Sequence, residues 1–155
     1  MLELNIRFHE KYKMLDALCK DIFSSKDGVT QYLYEMEYTE LKYIRQIYNW
    51  NDIYYKLKHL RWVRNQLAHE VGAFDYELCT EDDVEWLDDF YNAVLHAIDP
   101  LAKVGKMKRQ QETQQHQAKK QYTTTAQSTY TTNTAKENEV SLWSRIKAKI
   151  KQWFS

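Results

Sequence analysis

The chain has 155 residues, room for one ordinary domain, and its 22 Lys/Arg offset 22 Asp/Glu. That balance hides a split: residues 1–102 hold 11 basic against 19 acidic side chains, a net of −8, and residues 103–155 hold 11 against 3, a net of +8. Three Gly and one Pro are too few to turn the strands of an all-β domain, so helices are expected.

An acidic body with a basic tail directs the tail toward anionic partners: nucleic acid, anionic lipid or the body itself. The opening MLELNIRFHEKYK is charged and lacks the apolar core of a signal peptide. No run approaches the roughly 20 apolar residues of a spanning helix. Cys19 and Cys79 match no metal or redox spacing and read as buried reduced thiols. The expected location is the cytoplasm.

In chain order, Leu4, Phe8, Leu15, Leu18 and Ile22 predict a first helix over about residues 2–23, and SSKDG then makes a turn. Leu33, Met36, Leu41, Ile44 and Tyr48 suit a second helix over about 30–49, although YEMEY (34–38) also alternates like a strand. A third helix is predicted over about 52–69, with Gly72 where a C-terminal cap belongs. Thr80 is a good N-cap for a fourth, followed by Glu81, Asp82 and Asp83, where the helix dipole favours acids. Its buried stripe is Val84, Leu87, Tyr91, Val94, Leu95 and Ile98, and Pro100 ends or kinks it. The fold class expected for residues 1–102 is therefore an all-α bundle of about four helices.

Residues 103–140 are rich in Gln and Thr and poor in aliphatics, which predicts a disordered linker, since little apolar surface is present to offset the entropy of ordering. Residues 141–155 then predict a separate basic amphipathic helix. At about 100° per residue, Leu142, Trp143, Ile146, Ile150, Trp153 and Phe154 fall within one arc bordered by lysine and arginine. Such a helix suits either an anionic membrane face, reached peripherally from the cytoplasm, or a groove on a partner or on the body.

The chemistry concentrates in LKHLRWVRNQLAHE (57–70). Ile53, Leu57, Leu60, Arg64, Leu67 and Val71 fall on one helical seam, apolar except for Arg64. A buried guanidinium cannot shed its proton and demands partners. A structural answer is a carboxylate of the next helix, with Asp82, Asp83, Asp88 and Asp89 on offer. Asn65 adjoins Arg64, and His69 follows Asn65 by four residues. Lys56, Lys58, His59 and Arg61 surround the group in a segment, 57–66, that contains no acid. In a body of net −8 that local positive field marks candidate contacts to an RNA backbone.

RNQLAH (64–69) resembles the Arg-x4-6-His signature of the HEPN superfamily, in the form that reads Arg-Asn-x-(aromatic or aliphatic)-Ala-His. The resemblance covers residues 1 to about 102 and implies a small helical bundle that dimerises to bring two motifs into one cleft. It implies a metal-independent endoribonuclease, a toxin or a defence or stress effector, with Arg64 and His69 as the catalytic pair and Asn65 as polar helper. Its expected partners are RNA, a second copy of the chain and an antitoxin or other protein. The position two residues after the histidine is Val71, where superfamily members paired with nucleotidyltransferase antitoxins often carry a modifiable tyrosine, so that pairing is not implied. The alternative is a non-catalytic dimeric adaptor that binds RNA, protein or a membrane surface.

Metal-free RNA cleavage needs a proton carrier active near neutral pH, which histidine supplies, and fixed positive charge on the phosphoryl oxygens, which a forked guanidinium supplies. The remaining histidines, His9, His59, His96 and His116, make no metal-binding spacing, and no phosphate-cradling glycine loop occurs. No cofactor or metal is expected.

Overall fold

A computed structural model describes residues 3–120 of the chain. Of the described residues, 3–108 belong to one compact unit and 109–120 to a second. The described residues are all-α, in a helical bundle: α1 (Glu3–Phe23), α2 (Gly28–Glu37), a single-turn α3 (Leu41–Ile44), α4 (Trp50–His69), a 3-10 turn at Ala73–Asp75, and α5 (Glu81–Leu95). A further helix, α6, runs from residue 100 to residue 120, the last one described.

The core forms because each helix carries one apolar face. Phe8, Tyr12, Leu15 and Cys19 of α1 meet Val29, Tyr32, Leu33 and Met36 of α2, and Leu57, Leu60, Val63 and Leu67 of α4 and Val84, Leu87, Phe90 and Val94 of α5 complete the same cluster. Phe90 sits edge-on to Tyr32 at 5.3 Å and stacks on Trp86 at 4.8 Å.

The start of α2 is set by a close approach. A Cβ at Gly28 would lie 2.1 Å from the backbone carbonyl oxygen of Asp16 in α1. The Asp16 carboxylate accepts the Val29 amide at 2.9 Å, which supplies from α1 the cap that Asp27 does not make with its own side chain. The expected second helix over 30–49 is instead two pieces. Thr39 turns its hydroxyl back to the Glu35 carbonyl at 2.8 Å and Glu40 is extended, so α2 stops at Glu37.

The fourth expected helix begins as the residues dictate. Thr80 and Asp83 exchange side-chain and backbone hydrogen bonds in a capping box, and Lys56 of α4 holds Asp83 at 2.5 Å. It ends at Leu95, five residues before Pro100. Pro100 does not terminate that helix: it occupies the first turn of α6, behind an Asp99 whose carboxylate accepts the Ala102 amide at 3.2 Å. Asp99 also accepts the buried Tyr32 hydroxyl at 2.6 Å, tying α6 to α2.

The predicted disorder of residues 103–140 is thus corrected for residues 103–120, which are helical. Val104 is buried in the core of the first unit and Met107 packs on it. Residues 121–140 and the predicted amphipathic helix at 141–155 lie outside the described residues. Among the described residues no helix is long and apolar enough to cross a membrane, and no group of His, Cys, Asp and Glu could hold a metal ion.

Gly28→Ala is expected to cost about 1–3 kcal/mol, because the nearest clash, at 2.1 Å, is with the Asp16 backbone, which cannot turn away as its carboxylate can. Thermal unfolding of the variant checks this. A melting temperature equal to that of the wild type would mean that α1 and α2 separate freely at this point.

Candidate nucleic-acid interface

The α4 helix carries every residue of the motif and divides them between two faces. Leu57, Leu60, Val63 and Leu67 are buried and Arg64, half-buried, lies among them, as its seam position requires. Asn65 and His69 are exposed. Arg64 and His69 stand five residues apart, about 140° around the helix, so within one chain they do not share a face.

None of Asp82, Asp83, Asp88 and Asp89 pairs with Arg64 among the described residues. Asp83 is taken by Lys56 and Asp88 by Lys11. Arg64 instead donates from Nη1 to Asn65 Oδ1 at 3.2 Å, and its Nε is buried with no hydrogen-bond partner. Leaving a buried donor unsatisfied costs about 1–3 kcal/mol, more for a charged group, so the position needs an explanation other than stability.

Across the α1–α4 contact, Arg64 lies within electrostatic reach of His9 and Tyr12. Burial first, then the charges of Lys13 and Arg64, hold His9 below the usual imidazole range, with Glu10 opposing. Burial and the charge of Asp16 push the Tyr12 phenol up, against the pull of Arg64 and Arg61. His9 is a residue that sequence reasoning passed over, because nothing in its local spacing points across to α4.

The surrounding bases also separate. Lys56 points to α5 and is neutralised by Asp83, so it does not join the others. His59 stacks on Trp62 at 6.0 Å. Tyr55, 66 % exposed, and Trp62, 52 % exposed, share with His59 and His69 the open face of α4, at steps of four, three and seven. Lys58 and Arg61 line a cleft of about 150 Å³ whose opposite wall is α2, with Thr30, Tyr34 and Glu37. A larger depression of about 600 Å³ beside the start of α5 is lined by Glu3, Glu77 and Glu81, and its Arg7 is already paired with Glu81 at 2.9 Å. Its charge opposes a phosphate.

The α4 terminus frames His69. The helix stops there, Glu70 is extended, and Gly72 takes the left-handed conformation at φ 80° two residues beyond the cap, heading the 3-10 turn. Val71, placed on the apolar seam by its spacing, is fully exposed because the helix no longer carries it.

The fold and site together define an all-α bundle whose α4 helix carries an open aromatic face and, towards α2, the cations Lys58 and Arg61. The chain belongs to DUF6548, a family of unknown function, whose model matches residues 6–152. No curated protein and no solved structure matches it significantly.

Because its pKa is depressed, His9 stays neutral in the folded state at pH values where the unfolded chain already binds a proton. The stability it contributes is therefore complete above the ordinary value of about 6.5 and falls as pH drops below it. Arg64→Met is expected to raise the His9 pKa, read from its imidazole resonance in an NMR titration. An unchanged titration would show that the guanidinium does not face His9.

Proposed function

We propose that the protein is a metal-independent endoribonuclease of HEPN type, active as a dimer. The observation that carries the reading is Arg64: a half-buried guanidinium with a buried Nε that no acceptor satisfies and no carboxylate neutralises among the described residues. Its Nη1 is bonded to Asn65, the second residue of the motif, and the motif ends on an exposed His69 at a helix terminus. A protein that needed Arg64 only for stability would have given it one of the nearby aspartates.

The chemistry follows from the two side chains. The ribose 2′-oxygen attacks the adjacent phosphorus, the bond to the 5′-oxygen breaks, and the products are a 2′,3′-cyclic phosphate and a 5′-hydroxyl. One imidazole takes the proton from the 2′-hydroxyl and a second supplies one to the leaving 5′-oxygen, while the guanidinium holds the phosphoryl oxygens. The angle between Arg64 and His69 within one helix favours a centre assembled from two copies, through the open α4 face of Tyr55, Trp62 and His69. The reading places the protein among toxins or defence and stress effectors, with an antitoxin or other protein as its regulator. Residues 141–155 would supply the partner or membrane contact.

A second reading rests on the same geometry. The same angle between Arg64 and His69 suits a dimeric adaptor that binds RNA without cutting it.

Cleavage of RNA in EDTA by wild type, Arg64→Ala and His69→Ala separates the two. His69→Ala is expected to lower the rate about 10²–10⁴-fold, the usual worth of a proton-transfer group, with an unchanged melting temperature because the side chain is exposed. Equal cleavage by wild type and His69→Ala would end the ribonuclease reading.

A further inference from the structure

The cleft between α2 and α4 has walls of two kinds. On α2, Tyr34 is 50 % exposed and stands 4.4 Å, centroid to centroid, from Tyr38, which is 70 % exposed. On α4, Tyr54 gives its hydroxyl proton to Glu37 and carries the Lys58 ammonium 5.5 Å from its ring centroid. Arg61 donates to the Thr30 hydroxyl at 3.4 Å.

Charge marks the cleft, though not alone: Lys13, Lys26, Arg45 and Arg64 elsewhere also form no ion pair among the described residues. Lys11, Lys20, Lys42, Lys56 and Arg7 each meet a carboxylate, as expected in an acidic body, whereas Lys58 and Arg61 form no ion pair among the described residues. Two unneutralised cations beside exposed aromatic rings are the combination by which proteins hold single-stranded nucleic acid, bases on rings and phosphates on cations. The volume of about 150 Å³ falls below the roughly 300–1,000 Å³ of pockets for drug-sized ligands, and suits one planar base. Glu37 sits at the tyrosine end, where its carboxylate accepts the Tyr54 hydroxyl and repels a phosphate.

We propose that this cleft is a subsite for one nucleotide of single-stranded RNA, the base against Tyr34 and Tyr54 and its phosphate on Lys58 and Arg61. The choice of RNA as the strand rests on the ribonuclease reading; the cleft's grip on a base and a phosphate does not. The subsite is remote from the cleavage chemistry in role: it holds the strand on the α2 side of α4, while His69 occupies the exposed face. A duplex, with its bases stacked inward, cannot enter.

The test is fluorescence anisotropy of the full chain with a labelled single-stranded 2′-O-methyl oligonucleotide, which lacks the attacking hydroxyl and so reports binding apart from cleavage. Tyr34→Ala is expected to weaken binding roughly tenfold or more, the loss of one stacked base, and Tyr34→Phe to retain it. Arg61→Ala is expected to weaken binding and to reduce the salt dependence by about one phosphate contact. A duplex of the same length and a free mononucleotide are expected to bind far more weakly.

Wild-type affinity in both Tyr34→Ala and Arg61→Ala, with their melting temperatures unchanged, overturns the proposal and leaves the cleft to a protein ligand. Equal binding of the duplex, or of the mononucleotide, overturns it as well. His69-dependent cleavage of ordinary RNA with no role for Tyr34 removes the cleft alone. Tyr34-dependent binding with no cleavage removes the ribonuclease alone.

Discussion

The contact between Gly28 and the Asp16 carbonyl governs the geometry of the bundle. It lets the first residue of α2 rest on the backbone of α1, and the Asp16 carboxylate then caps α2 from outside. With that end fixed, the residues of α2 fall into register along their neighbours. Tyr32 reaches Asp99 and the core, while Tyr34, two residues on, faces outward over α4. The same placement that closes the interior therefore sets the distance between the tyrosines of α2 and the cations of α4. A shift of α2 by one residue would carry both sets of side chains to the wrong sides.

The α4 helix serves two purposes with one sequence. Its buried arc must be apolar for the bundle to close, yet it admits Arg64 and leaves one N–H of that side chain unanswered. Its open arc displays Tyr55, His59, Trp62 and His69, where charged residues would be more soluble. Both departures are unfavourable for an isolated, merely structural helix. They fall within the segment that carries the motif, which is where a functional demand overrides packing.

The parts of this architecture that depend on neighbours in sequence were legible. The Thr80 N-cap and the limits of α4 follow from local spacing and local hydrogen bonds, and the apolar faces of α1 and α5 follow in part: Leu95, Ile98 and Ile22, placed on the stripes by spacing, are more than half exposed, while Phe90 and Tyr12 are buried. Asp99-Pro100 was equally local, an N-cap followed by a first-turn proline, but it reads as the end of one helix as readily as the start of the next. The Gln- and Thr-rich composition of residues 103–140 suggested a linker because apolar residues are few, but most of the threonines lie beyond 120 and residues 103–120 are rich in Gln and Lys. Those residue types are nonetheless good helix formers, and Leu101, Val104 and Met107 suffice to seat the first turns. What no local pattern could reveal is which elements face each other. His9 beside Arg64, Lys56 withdrawn to Asp83, and Tyr34 opposite Arg61 are products of helix packing, and they decide which bases remain free to act.

The buried thiols carry one more implication. Burial pushes Cys19 up to about 12 and Cys79 up to about 11, in each case with carboxylates adding to the effect, and Cys79 rests its sulfur against Asn5 Oδ1 at 3.3 Å. Only a thiolate attacks a disulfide or reacts readily with peroxide, and at neutral pH these groups are almost wholly protonated. Neither Cys19 nor Cys79 is therefore poised as a nucleophile while the bundle is folded, which ties the reactivity of both thiols to unfolding.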